Sequence, residues 1–291
     1  LARRGLVDFL GMTVVAGNVG MNLTAKNARI VCDWAGEEDF PVYAGAVKPL
    51  LRELETAEAV HGKTGLDGTA LHEPRCPLQK QHAVAYLVET LSRAEDASIT
   101  LCPIGPLTNI ALALSIAPEA VRAIKRIVLM GGNYFEAGNM TPAAEFNFFA
   151  GPHAAQIVLQ SGAPITILPL DVTHKAQITS ERMNRLRRLK NANGSRLADI
   201  LQSYERFDIQ QFGLEGGPLH DPCAVICAVF PELFAGRMCR VDVETQSGLS
   251  TGACAVDWHG TTGKTPNALW ITEVDADRMF EELAAAIAKL P

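Results

Sequence analysis

The sequence predicts an α/β protein: an open, mostly parallel, Rossmann-like sheet flanked by helices, with a short antiparallel portion near the C-terminus. Three observations predict it. Apolar runs such as Arg126-Ile-Val-Leu-Met130 are continuous and β-branched, the pattern of parallel strands covered on both faces. These runs alternate with stretches of helical period along most of the chain. Arg240-Val-Asp-Val-Glu244 and Ala253-Cys-Ala-Val256 instead alternate apolar with polar residues, which marks antiparallel strands.

Each element has a local reason. Leu1 to Gly5 reads as the last turn of a helix, with cations followed by a glycine stop. Val7 to Val15 is expected as a strand ending at Gly17-Asn18. Asn22 to Ala35 is helical, with Ala28, Val31, Cys32 and Ala35 on one face. Pro41 to Ala44 is a short strand. A helix is expected from about Leu78 to Ala94, then a strand over Ser98 to Cys102 and a helix opened by Pro106. Pro118 ends that helix, and a short helix over 119–125 leads into the strand at 126–130. Pro152 opens a helix ended by Gly162, and Pro164 to Leu168 is a strand. Residues 179–214 are helical and interrupted at Asn191 to Gly194. An apolar helix follows His220-Asp221-Pro222 and runs to about Val229. Asn267 to Val274 reads as the final strand and 277–289 as a closing helix.

At 291 residues, 48% hydrophobic and 20% charged, the chain has material for one large core and is read as a single domain over 1–291. The formal net charge of −6 argues against nonspecific binding to nucleic acid or anionic membrane. Seven cysteines are an odd count, and several lie inside apolar runs, so they read as buried thiols in a reducing compartment. Cys223 and Cys227, one helical turn apart, read as core residues. No stretch is long enough for a transmembrane helix, and no basic-then-apolar leader opens the chain. The expected compartment is the cytoplasm.

One polar loop stands out: Gly138-Asn-Met-Thr-Pro-Ala-Ala-Glu-Phe-Asn147, just after the strand that closes with Gly131-Gly132-Asn133. Ligands of open α/β sheets bind beyond the carboxyl ends of such strands. The loop holds neutral amides and one carboxylate, and no Lys or Arg occurs from Asn133 to His153. That set suits an uncharged polyhydroxylated ligand such as a sugar, whereas a phosphate would want cations. A solvated turn explains the same residues equally well. Other strand ends carry Gly17-Asn18, Pro103 to Pro106 and Leu170-Asp-Val-Thr-His174, while His61 and His220-Asp221 lie on other segments. Alone, Asn18 reads as a left-handed turn residue and His61 as a surface histidine. Asp171 and His174 read as a hydrogen-bonded pair holding a turn. Asp221 before Pro222 reads first as an N-cap, a role compatible with binding a ligand.

Together these segments resemble the inosine-uridine-preferring nucleoside hydrolase family. The resemblance rests on Val14-Val-Ala-Gly-Asn18, Gly105-Pro-Leu-Thr-Asn-Ile-Ala111, Leu129-Met-Gly-Gly132, the 138–147 loop, Leu170 to His174 and Leu219-His-Asp-Pro222. They run in family order from about residue 8 to the end. The resemblance implies hydrolysis of an N-ribosidic bond to ribose and free base through an oxocarbenium-like transition state. It implies a bound Ca2+ that holds the ribose diol and the attacking water. Carried over by position, Asn139, Glu145 and Asn147 grip ribose hydroxyls, with Asn18 assisting near the metal. Asp221 and the Ile104 main-chain carbonyl are calcium ligands, His220 protonates or polarises the leaving base, and His61 lines the base pocket. Tyr204, Phe207 and the segment to Gly217 are read as a cover over the base. The implied partner is a small nucleoside, in a homodimer or homotetramer.

One departure from the family stands out. Its members begin with a strand ending in an Asp-x-Asp-Pro-Gly-x-Asp-Asp motif, which supplies most calcium ligands and the general base. Here the first acidic residue is Asp8, and the chain opens midway through an apparent helix. A truncation, an unrecorded stretch and a misplaced gene start fit this equally. The expectation for these 291 residues is weak calcium binding and little activity, with a non-catalytic nucleoside- or ribose-binding relative as the alternative.

Overall fold

The computed structural model describes residues 1–203 and 213–291 in full, and 204–212 only as part of a helix. At the start, a single 3-10 turn over Ala2–Arg4 is closed by Gly5 in the left-handed region. The first strand is shorter than expected: β1 is Met12–Val14, because its partner β2, Val42–Ala44, offers only three parallel register positions. Residues Leu6, Val7, Phe9 and Leu10 therefore stay exposed. Between the two strands, α1 (Met21–Ala35) buries Ala25, Ile30, Cys32 and Asp33, while Val31 is 42% exposed. The expected face is thus rotated, and the cause is polar. The Asp33 carboxylate accepts from His72 Nε2 and from the Arg75 and Cys76 N–H groups, at 2.9, 2.7 and 2.9 Å, which turns that side inward.

After α2 (Glu58–His61), the expected helix over 78–94 divides. Leu78–Gln79 forms β3 beside β2, and His82 then N-caps α3 (Ala83–Arg93) by accepting from the Val84 N–H at 3.2 Å. Next come β4 (Ile99–Leu101), α4 (Thr108–Ile116), a 3-10 turn over Pro118–Ala123 and β5 (Ile124–Met130). The helices α5 (Phe146–Ala150) and α6 (Pro152–Leu159) precede β6 (Ile165–Leu168) and α7 (Leu170–Thr173). Then follow β7 (Gln177–Ile178), α8 (Ser180–Arg187), α9 (Ala192–Phe212), β8 (Gly217–Pro218) and α10 (His220–Cys227). The chain closes with β9 (Phe234–Val243), β10 (Cys254–Asp257), β11 (Ala268–Val274) and α11 (Ala276–Ile287).

The main sheet has the order β10-β9-β11-β6-β5-β4. Strands β4, β5, β6 and β11 are parallel, and β9 runs antiparallel to both β11 and β10, as the alternation of the C-terminal runs predicts. Side-chain alternation along β5 feeds two cores. Ile127 and Leu129 join Leu107, Leu114, Leu159 and Trp270 on one face. Val128 and Met130 join Cys223, Ile226, Cys227, Met279 and Phe280 on the other, which puts both cysteines of α10 in the core.

Strands β1, β2 and β3 form a separate parallel sheet over Val14, Ala25, Cys32, Val42 and Cys76. Asn109 of α4 links the two sheets: its Oδ1 accepts from the Ala46 N–H at 2.9 Å and its Nδ2 donates to the Val14 carbonyl at 2.9 Å. This approach requires a glycine at 45, where a Cβ would lie 2.3 Å from Asn109 Oδ1. The carboxyl ends of β5 and β6 open into the 131–147 loop and into α7, the segments that carry the site.

Candidate active site

The 138–147 loop is built inward. A Thr141–Ala144 bridge folds it, the Gly138 N–H donates to the Pro142 carbonyl at 3.2 Å, and Asn139 Oδ1 accepts from the Phe146 N–H at 2.9 Å. Glu145 is the N-cap of α5: Oε1 accepts from the Asn147 N–H at 2.8 Å, and Oε2 accepts from Gly132 N–H at 2.9 Å and Phe148 N–H at 3.1 Å. This carboxylate, only 2% exposed, ties the end of β5 to the start of α5. Burial pushes the Glu145 carboxyl up to about 7, against the three N–H groups that favour its charged form. Asn147 is buried and donates from Nδ2 to the Met130 carbonyl at 3.1 Å. The loop is therefore not a solvated turn. Among the described residues, Asn139 Nδ2 and Asn147 Oδ1 make no hydrogen bond, which leaves an amide NH2 group to donate and an amide oxygen to accept from a ligand.

The 170–174 segment arranges itself otherwise than as an Asp171–His174 pair. Asp171 Oδ1 accepts from the N–H groups of Tyr134, Phe135 and Glu136, each at 3.0 Å, and Oδ2 accepts from Trp270 Nε1 at 2.8 Å. It clamps the loop after β5. His174 instead faces Glu136, with Nδ1 to Oε2 at 3.7 Å. The two-residue ribbon β7–β8, extended by the Leu219 N–H donating to the Ala176 carbonyl at 2.8 Å, brings residue 220 beside α7. His220 Nδ1 then lies 2.7 Å from Thr173 Oγ1, and its ring centroid is 5.7 Å from that of His174.

His220 and Asp221 form the first turn of α10. Leu219 is the N-cap and no side chain caps the helix, so Asp221 is not the N-cap that the local sequence suggests. Its carboxylate lies at the positive end of α10. Burial, then the nearby Glu145, push the Asp221 carboxyl up to about 7. Burial, then His174 and His61, hold His220 down at about 3, so its imidazole is neutral at physiological pH. His61 is not in a surface loop; it ends α2, half-buried, and burial lowers its pKa. Asn18 is not left-handed, since Ala97 is the non-glycine residue with positive φ. Its carbonyl accepts from the Ala57 N–H at 2.9 Å, at the entry to α2.

The structure thus places Asp221 within electrostatic reach of Glu145, and His220 within reach of His174 and His61; the adjacent residues 220 and 221 join the two groups, with Asn139 and Asn147 on the loop that Glu145 anchors. Asn18 and Ile104 form no hydrogen bond with any of these. Ile104 is exposed, and so is Cys102 two residues before it, although its apolar run predicts a buried thiol. Among the described residues, no group of three or more His, Cys, Asp or Glu is placed to hold a metal ion. The proposed cover at Tyr204 and Phe207 lies outside the described residues. A hollow of about 590 Å3 lined by Arg240, Asp242, Trp258 and Lys264 includes none of the cluster.

Sequence reasoning missed Thr173, Glu136 and Trp270. Thr173 sits inside the quoted 170–174 segment, but its role depends on the β7–β8 ribbon, which leaves no local signal.

Residues 1–281 match the family model described as inosine-uridine preferring nucleoside hydrolase. An uncharacterised protein of Schizosaccharomyces pombe is 44% identical over 285 residues, which is 98% of this chain and 92% of that protein. The pyrimidine-specific ribonucleoside hydrolase RihA of Shewanella sp. is 44% identical over 280 residues, 96% of this chain and 87% of its own. Among solved structures, a purine-preferring ribonucleoside hydrolase from Gardnerella vaginalis superposes with a TM-score of 0.90 at 29% identity, covering 97% of this chain and 90% of that one.

Proposed function

Because the chain belongs to the inosine-uridine preferring nucleoside hydrolase family, a family of enzymes, we propose that it cleaves the N-ribosidic bond at the Glu145–Asp221–His220 cluster. The observation that carries this reading is the carboxyl of Asp221, raised by burial and by Glu145, at the start of the helix whose first residue is His220. Cleavage leaves positive charge on the ribosyl ring, so carboxylates beside it stabilise the transition state more than the ground state. His220 interacts with the departing base, and His61 lines the base pocket. Asn139, Asn147 and Asn18 bind ribose hydroxyls.

The substrate is a small ribonucleoside, not a nucleic acid or a membrane surface. Pyrimidine nucleosides are favoured over purines: the pyrimidine-specific relative is 44% identical, against 29% for the purine-preferring structure. A cytoplasmic location fits the seven free thiols. A homodimer or homotetramer is proposed, and chromatography with light scattering reads it directly.

Nucleoside hydrolases are metal-dependent, and Ca2+ is the proposed ion. The residues on hand do not complete its site. Asp221 offers one carboxylate without a hydrogen-bond partner among the described residues, Ile104 offers a carbonyl, and Glu145 is committed to three N–H groups. Calcium takes about six to eight oxygens. No step here is routed through the metal. A second reading is a nucleoside-binding relative without catalysis.

One panel separates the two: uridine, cytidine, inosine and guanosine, each with added calcium and with chelator, read as free base and free ribose by chromatography. Base and ribose released in equal amounts, uridine fastest, is the expected result. Nucleoside binding without release at any calcium concentration establishes the non-catalytic reading instead.

A further inference from the structure

We propose that Thr173 is a positioning residue that fixes His220 in its Nε2–H tautomer. The proposal deepens the hydrolase reading and rests on it for its kinetic consequence, although the tautomer itself can be measured without turnover. Thr173 is 0% exposed, at the end of α7. Its hydroxyl has one hydrogen-bond partner among the described residues, His220 Nδ1, at 2.7 Å.

A hydroxyl carries one proton and two lone pairs. If Nδ1–H donated to Oγ1, the hydroxyl proton would be buried with no acceptor, at a cost of about 1–3 kcal/mol. If the hydroxyl donates to an unprotonated Nδ1, the buried hydroxyl is satisfied and the ring proton lies on the partly exposed side chain of His220, where solvent or ligand can accept it. The second arrangement wins, and it moves the ring proton to Nε2, on the edge away from Thr173. The partner of one ring nitrogen decides what the other can do.

The arrangement is held on both sides. The Thr173 N–H donates to the Pro169 carbonyl at 3.1 Å, fixing α7 directly behind β6. Residue 220 is carried there by the β7–β8 ribbon and the Leu219–Ala176 hydrogen bond. Neither segment has to move for the pair to form. The consequence for substrate is specific: a ring that presents Nε2–H recognises an acceptor on the base, such as a carbonyl oxygen.

The test uses the full chain with 15N-labelled histidine, comparing wild type, T173V and T173S, with H220Q to assign the resonance among the seven histidines. The expected wild-type spectrum shows a pyridine-like Nδ1 and a pyrrole-like Nε2 for His220. T173V should move both nitrogens toward a tautomer mixture, and T173S should restore the wild-type pattern. In turnover, T173V should lower kcat about tenfold with KM within about twofold, with recovery in T173S. A pyrrole-like Nδ1 in wild type, or a T173V spectrum identical to wild type, overturns the assignment. If the expected spectra appear but wild type releases no base, the assignment of Thr173 stands and the hydrolase reading falls.

Discussion

Asn147 is a side chain that the fold uses only in part. Its Nδ2 is spent on the Met130 carbonyl, and its Oδ1 has no partner among the described residues. N147A should therefore weaken ribonucleoside binding about tenfold or more, the loss expected when one such contact goes and its partner is left unpaired. Isothermal titration with uridine checks this, and unchanged affinity would remove Asn147 from the ribose grip. Asp33 is the purely structural counterpart. Burial opposes its ionisation, yet the Arg75 and Cys76 N–H groups, His72 and the Arg75 charge outweigh it and hold the carboxyl below its usual range. A lowered folded-state pKa means that this contribution is present above the unfolded value, near 4, and is lost as pH falls through the folded one. D33N should cost about 1–3 kcal/mol at pH 7 and show a shallower loss of stability toward pH 3. Urea unfolding of both proteins at several pH values measures the difference.

Among the elements, the segment after β5 depends on a residue from another loop. Asp171 accepts three consecutive backbone N–H groups and the Trp270 indole, and so fixes the turn that carries Glu136 to His174. D171N replaces a charged acceptor by a neutral amide and should release this turn without unfolding β5. The expected outcome is faster hydrogen exchange at the amides of Tyr134, Phe135 and Glu136, by about tenfold or more, with β5 amides unchanged. Exchange that stays at the wild-type rate would show that the turn is held by other contacts. The divided 78–94 segment belongs to the same scale. Leu78 and Gln79 have a helical pattern in sequence, but β2 offers them a ladder and His82 caps the helix four residues later. Tertiary pairing overrides weak local preference.

For the whole molecule, the notable feature is that the parallel strands form two sheets. β1 pairs with β2 alone and β4 with β5 alone, so each sheet ends on a strand with one unpaired side. Asn109 spans the division with two hydrogen bonds through a space only glycine at 45 leaves open. N109L keeps the volume but leaves the Ala46 N–H and Val14 carbonyl unpaired. It should lower stability by about 2–4 kcal/mol and loosen the three-stranded sheet before the six-stranded one. Hydrogen exchange during urea unfolding reads the order, and a single concerted loss across both sheets would argue against separable units.

The sequence by itself determined the class of fold and the family, and singled out the 138–147 loop. Strand and helix periods are short-range signals, so the parallel order of elements and the antiparallel C-terminal part could be read directly. The amide-rich loop at 138–147 also declared itself, because its composition is unlike that of a phosphate site. Only the tertiary structure decided how those residues are used. Nothing local distinguishes Asp221 in the first turn of α10 from an N-cap, or directs Asp171 toward Tyr134 rather than His174. Val31 points outward because Asp33 is anchored by a loop some forty residues away. The Thr173–His220 contact spans 47 positions and exists because a two-residue ribbon brings α10 to α7. Periodicity records which side of an element is apolar, whereas hydrogen-bond partners are chosen by long-range approach.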